Sequence, residues 1–204
     1  MKTLVATAAI LAATFAAPLL AAPTASFATG STTLTPAPAF ATALTSLNVN
    51  LAPLKGKLLK FTVNGGRADL ANARAEISHT GGITLKRAAV AANPTATPPV
   101  LASPAVTTEL SNFIIDTTST PILTGLVVVN GSVVGRLPLF KVTLPVLTLP
   151  LAATQGKLTI AGNTLTLTAG AATALNGAFG ISAFAENAAI GTANVALTGV
   201  KLPN

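Results

Sequence analysis

The sequence has no cysteine, no tryptophan and no tyrosine, and only one histidine. Without cysteine there is no disulfide, no thiol nucleophile and no lipid-bearing cysteine, so the fold must be held by its core alone. Without tryptophan or tyrosine there is no platform on which bases or sugar rings usually stack, and no aromatic girdle of the kind outer-membrane barrels carry. Eight phenylalanines are the whole aromatic content. One histidine and five acidic residues leave little for metal or acid–base chemistry. A zinc site needs three or four His, Cys or carboxylate ligands, and no ligand spacing is visible. A Ser-His-Asp arrangement would have to draw on His79 with Asp69 or Asp116, and the strand–turn–helix elbow of such enzymes is missing. The other carboxylates are Glu76, Glu109 and Glu186. Asp69 and Asp116 stand beside turn-forming residues, where capping of backbone groups is the simpler role. Glu76, between Arg74 and Ser78, reads as a solvated strand face, paired across the strand with Lys86. The chain is therefore expected not to be an enzyme.

What is present begins with an export signal. Lys2 supplies a positive start, Leu4–Leu20 is uncharged and rich in Ala and Leu, and Ser26-Phe27-Ala28 places small residues for a cut before Thr29. Residues 1–28 are thus read as a signal peptide and the protein as secreted or periplasmic. No later apolar run reaches the roughly 18–20 residues that span a bilayer. The net charge of +7 favours anionic partners such as acidic glycans, wall polymers or lipid head groups. The basic residues are mostly scattered singly, and nucleic acid is a poor match.

Residues 29–35 read as a flexible tether and 36–204 as one β-rich domain. Thr35-Pro36 offers a cap and a first-turn proline, and Phe40, Ala43, Leu44 and Leu47 recur at helical spacing, which predicts a helix over Pro38–Leu47. Strands follow. Leu58–Val63 runs to Asn64-Gly65-Gly66, read as a turn. Arg74–His79 meets Thr80-Gly81-Gly82 and returns as Ile83–Lys86, a hairpin signature. Leu126–Val129 meets Asn130-Gly131 and continues at Val133, the strongest short hairpin signal. Lys157–Ile160 turns at Ala161-Gly162-Asn163 and returns as Thr164–Thr168. Residues 91–105 form a Pro/Ala/Thr-rich loop. Leu137–Leu151 carries Pro138, Pro145 and Pro150 and shifts its parity, which predicts broken edge strands with a bulge near Pro145. Ala171–Gly177 predicts a second short helix, and Val195–Thr198 a last strand. The class is all-β, mainly antiparallel: a β-sandwich or open barrel with one or two short helices.

His79 is the residue to watch. Strand parity puts it with Ile77 on the apolar side, at the mouth of the Gly81-Gly82 turn. It is either a ligand or hydrogen-bond donor at a pocket rim or a half-buried histidine satisfied by a backbone carbonyl. His79, Gly81 and Gly82 are the candidate ligand-binding residues.

The order of motifs carries a resemblance. Ile77-Ser78-His79-Thr80-Gly81-Gly82-Ile83-Thr84-Leu85 is followed by Leu110–Thr117, Leu123-Thr124-Gly125 and Gly135–Phe140, then Ala174-Leu175-Asn176, Phe179-Gly180 and Ile190–Ala193. Over roughly residues 31–199 this resembles a group of uncharacterised secreted bacterial proteins and, distantly, the HtaA-type domain of bacterial haem-uptake proteins. The resemblance implies a β-rich module with two short helices and a haem held by a tyrosine supported by a histidine. His79 is the one residue that carries over, and the sequence supplies no tyrosine. The function expected is a secreted, non-catalytic binding module for a small apolar molecule, haem among the candidates, or for a surface polymer or protein. The alternatives are a surface or matrix protein that assembles through sheet edges, and a polysaccharide hydrolase.

Overall fold

The computed structural model describes residues 24–56, 58–99 and 101–202. Residues 1–23, the greater part of the expected signal peptide, lie outside the described residues. The elements run β1 (Ala25–Phe27), β2 (Thr29–Pro36), α1 (Pro38–Ser46), β3 (Val49–Pro53), β4 (Lys60–Asp69), β5 (Arg74–Thr80) and β6 (Gly82–Arg87). They continue as β7 (Val106–Asp116), β8 (Ile122–Val129), β9 (Ser132–Thr143), β10 (Lys157–Leu167), α2 (Ala169–Phe179) and β11 (Ala189–Thr198). All pairings among these strands are antiparallel.

The sheet closes on itself. Each strand in the series β4–β2–β11–β10–β9–β8–β7–β5 pairs with the next, and β5 pairs back to β4. Where sequence left a sandwich and an open barrel both standing, the register makes a closed eight-stranded ring. A ring of this size has an interior just wide enough for side chains to fill. Two additions flank it. β1 lies beside β4, and the pair β6–β3 extends from the first half of β7 as a flap.

The expected tether is instead a working strand. Thr29–Pro36 pairs with β11 on one side and β4 on the other, and buries Thr32 and Leu34. Threonine-rich segments fit a pleated, half-buried surface well, so composition that looked like a linker is strand. β1 falls within the segment read as signal peptide, yet Ala25 and Phe27 are buried and Ser26 bridges to Lys201. A cut after Ala28 would remove this strand.

Three glycine-bearing segments behave differently from expectation, and one behaves as expected. Asn130-Gly131 closes the β8–β9 hairpin with both residues at positive φ, +50° and +81°. By contrast, β4 runs straight through Asn64-Gly65-Gly66 with a bulge. β10 likewise runs through Ala161-Gly162-Asn163, where Asn163 Nδ2 donates to the carbonyls of Ile160 and Ala193 at 3.0 and 2.9 Å. β5 and β6 do not pair with each other across Gly81. Both pair with β7, so the expected hairpin is a corner in one long edge. The same dipeptides serve turns and bulges, and the neighbouring strand decides which forms.

β9 bulges at Val134 and again at Leu139–Phe140, not near Pro145. The Leu139 and Phe140 side chains are buried, and the strand ends at Thr143. β10 joins β9 only from Phe140 onward, so Pro138 needs no ladder donor on that side. α1 buries Phe40 and Leu44 against the ring, with Ala37 rather than Thr35 at its N-cap. α2 starts at a Thr168 cap and runs past Asn176-Gly177 to Phe179, ending at Gly180 with φ +63°. Among the described residues, 91–99 and 101–105 are largely irregular, with a bridge from Val90 to Ser103.

Candidate functional site

His79 is 4% exposed and points into the ring. Its Nε2 lies 2.7 Å from Thr32 Oγ1 on β2, and its Nδ1 lies 3.3 Å from the Phe113 carbonyl on β7. A carbonyl only accepts, so Nδ1 carries the proton and Nε2 accepts from the threonine hydroxyl. Burial drives the pKa down from 6.5 to about 4, against a smaller opposing effect of the bond to Phe113. The ring is therefore neutral at ordinary pH, with both nitrogens engaged.

The space beside His79 measures about 20 Å³. That holds at most one water. Phe61 and Phe113 meet edge to face at 5.0 Å beside it. The candidate rim residue is thus part of a filled core. Gly81 and Gly82 serve the backbone. Gly81 takes φ +94° at the corner, and its carbonyl accepts from Asn112 N at 3.0 Å. A Cβ on Gly82 would collide with the Leu110 carbonyl of β7. The three candidate residues do not form one cleft.

The acidic residues are occupied or solvated. Asp69 accepts from Ala71 N and from the Asn72 side chain, and Asp116 from Thr118 N and Oγ1. Both are the turn caps that their sequence context predicts. Glu76 stands opposite Arg67 and Asp116 rather than Lys86. Glu186 pairs with Lys141 on the surface. Among the described residues no three His, Cys, Asp or Glu side chains gather as a metal site. No helix among them is long and apolar enough to cross a membrane.

One strongly apolar concavity was not singled out by sequence; more open, more polar hollows of about 310 and 450 Å³ lie beside Thr35–Pro38 and beside Arg67, Asp69 and Arg74. The apolar one is a groove of about 300 Å³ between α2 and strands β7–β9, floored by Thr108, Leu110, Val127, Leu139 and Leu167. Its origin is local. α2 is pinned at its start, where Thr168 Oγ1 donates to the Pro138 carbonyl at 2.7 Å and also caps Ala171 N. It is pinned at its end by Arg87, whose Nη1 donates to the Phe179 carbonyl at 2.6 Å while the guanidinium lies 5.7 Å from the Phe179 ring centre. Between these anchors the residues facing the sheet include Ala171, Ala174 and Ala178, too small to fill the gap. No charged side chain, histidine or sulfur lines the groove. Val134, half exposed in the β8–β9 hairpin, stands at its mouth. The run Ala169-Gly170-Ala171-Ala172 was the available signal. A helix that buries one face with mostly small side chains leaves room.

These features define a class first: a small closed antiparallel barrel whose end carries a helix over an apolar groove. The fold is HtaA-like. The chain superposes on the crystal structure of the C-terminal domain of HtaA from Corynebacterium glutamicum with a TM-score of 0.56 and 14% identity, covering 85% of this chain and 98% of that one. A variant of the same domain, crystallised as a domain-swapped dimer, gives a TM-score of 0.48 at 14% identity over 78% and 90% of the two chains. No protein-family model matches the sequence, and no curated protein does.

Proposed function

We propose that this protein is an exported, non-catalytic binding module that holds an uncharged apolar small molecule in the groove between α2 and β7–β9. The observation that carries this reading is the groove itself: about 300 Å³, walled mostly by aliphatic side chains with Phe140 and Thr108 among them, and without a charge. Pockets for small ligands begin at about this volume and are mostly apolar. The carboxylates, spent on turns or on the outer surface, offer no acid–base pair beside it.

Haem is a poor fit. Its iron is usually held by His, Tyr, Cys or Met. Tyrosine and cysteine are absent, the one methionine is Met1, and His79 has both nitrogens bonded inside the core. Assembly through sheet edges is also disfavoured. Closure removes the edges of the ring, β1 is three residues long, and the open strand β3 has five residues and ends in Pro53.

The test is displacement of the apolar dye N-phenyl-1-naphthylamine. The wild-type protein is expected to bind it, and Ala174→Phe, which fills the groove, to weaken binding more than tenfold while the melting temperature holds. Equal binding by that variant overturns the reading. A haem titration is expected to give no ligated Soret band, unchanged by His79→Ala.

A further inference from the structure

Thr108 stands in the floor of the groove and is 1% exposed. Its Oγ1 has no hydrogen-bond partner among the described residues. Its cross-strand neighbours are Leu85 on β6 and Val129 on β8, neither of which offers a polar group from its side chain. The other buried threonines behave differently. Thr32 bonds to His79, Thr84 to the Ala52 carbonyl, Thr117 to Ala75 N and Thr168 to the Pro138 carbonyl. A buried hydroxyl without a partner destabilises a fold, and valine has the same shape without that cost. Thr108 is the polar side chain that lines this apolar groove.

We infer that Thr108 is the polar anchor of the groove and that its ligand is a neutral, largely aliphatic molecule with one oxygen, a ketone, aldehyde or alcohol, which the Thr108 hydroxyl meets. This rests on the groove being the binding site. The aliphatic part lies along Leu110, Val127, Leu167 and Leu175. A carboxylate is excluded by the wall chemistry. No cation lines the groove, and Arg87 is committed to the Phe179 carbonyl, so a buried anion would stay unpaired.

The experiment measures displacement of N-phenyl-1-naphthylamine by 2-octanone, n-octane and octanoate, on the wild-type protein, Thr108→Val and Thr108→Ser. Comparing each ligand across variants cancels differences in its solubility. Thr108→Val is expected to bind 2-octanone about three- to tenfold more weakly, the worth of one net hydrogen bond. Octane binding should be unchanged, and Thr108→Ser should keep the preference for the ketone. Thr108→Val is also expected to melt higher than wild type, because it removes an unpaired hydroxyl. The anchor is overturned if ketone and octane affinities move together, if octanoate binds tightest, or if Thr108→Val melts lower. If no probe displaces the dye from any variant, the groove reading itself fails. Octane displacing it without a ketone preference removes the anchor and leaves the groove.

Discussion

The hydroxyl of Thr32 donates to Nε2 of His79 across 2.7 Å, between residues 47 apart in the chain. The other ring nitrogen of His79 donates to the Phe113 carbonyl. One imidazole thus ties β2, β5 and β7 together through the middle of the ring. A histidine used in this way is a cross-brace, and its chemistry should be felt in stability.

The brace makes the fold acid-sensitive. Burial lowers the His79 pKa from 6.5 to about 4. Between these values the unfolded chain takes up a proton that the folded ring refuses. Stability from this group is therefore full above pH 6.5 and falls as pH drops toward 4, by about 3 kcal/mol in all. Asp69, held below its ordinary 3.8 mainly by the Asn72 side chain, loses its contribution only at lower pH. Urea unfolding at pH 7.5 and 4.0 should show the loss in wild type and a nearly flat response in His79→Phe. A wild-type protein equally stable at both would refute the brace.

Phe27 makes the extreme N-terminus of the described chain part of the core. Its ring packs on Gly66, where a Cβ would collide with it. Phe27→Ala should cost about 3 kcal/mol, a typical figure for emptying a buried aromatic site. Any export cut compatible with this strand falls before Ala25. The intact mass of any product recovered outside the cytoplasm checks this, and a product beginning at Thr29 would contradict it.

Gly82 and Gly81 should respond differently to alanine. At Gly82 the added methyl meets the Leu110 carbonyl and Ser111, backbone and side chain that cannot easily move. A loss of about 3 kcal/mol is expected. At Gly81 nothing but Phe61 lies near, at 3.9 Å, so the cost is the φ of +94° alone, about 1–2 kcal/mol. Urea midpoints of the two variants give the order, and the reverse order would mean the corner is not as described.

Arg87→Ala should release the C-terminal end of α2. It removes the donor to the Phe179 carbonyl and the cation above the Phe179 ring. Hydrogen bonds from charged groups contribute about 1.5–3 kcal/mol. Amide exchange at Gly180 and Ile181, which bond back to Gly177 and Asn176, should speed up at least tenfold. Amides in β10 should be unaffected. Uniform acceleration across the chain would point to global destabilisation instead.

Much of the fold was legible where local sterics decide. Asn130-Gly131 is a hairpin because both residues accept positive φ. The helix over Pro38–Leu47 was legible because Phe40 and Leu44 share one face, although its cap is Ala37 and its first-turn proline Pro38 rather than Thr35 and Pro36. Asp69 and Asp116 cap turns because their carboxylates reach amides two or three residues on. The candidate site was not legible in the same way. His79 was recognised as facing the apolar side, but whether that side was pocket or core depended on Thr32 and Phe113, far away in sequence.

The sequence by itself determined a mainly antiparallel β protein with one or two short helices and an inventory of one histidine, five acids and no cysteine or tyrosine, because strand alternation, turn dihedrals and composition are properties of short segments. Only the tertiary structure decided that glycine pairs at 65–66 and 81–82 bend strands instead of reversing them. It alone made a strand of residues 29–36, closed the ring, and placed a gap under α2. These depend on what the facing strand offers: a ladder partner, a carbonyl too near for a Cβ, or a helix held at both ends with side chains too small to reach the sheet.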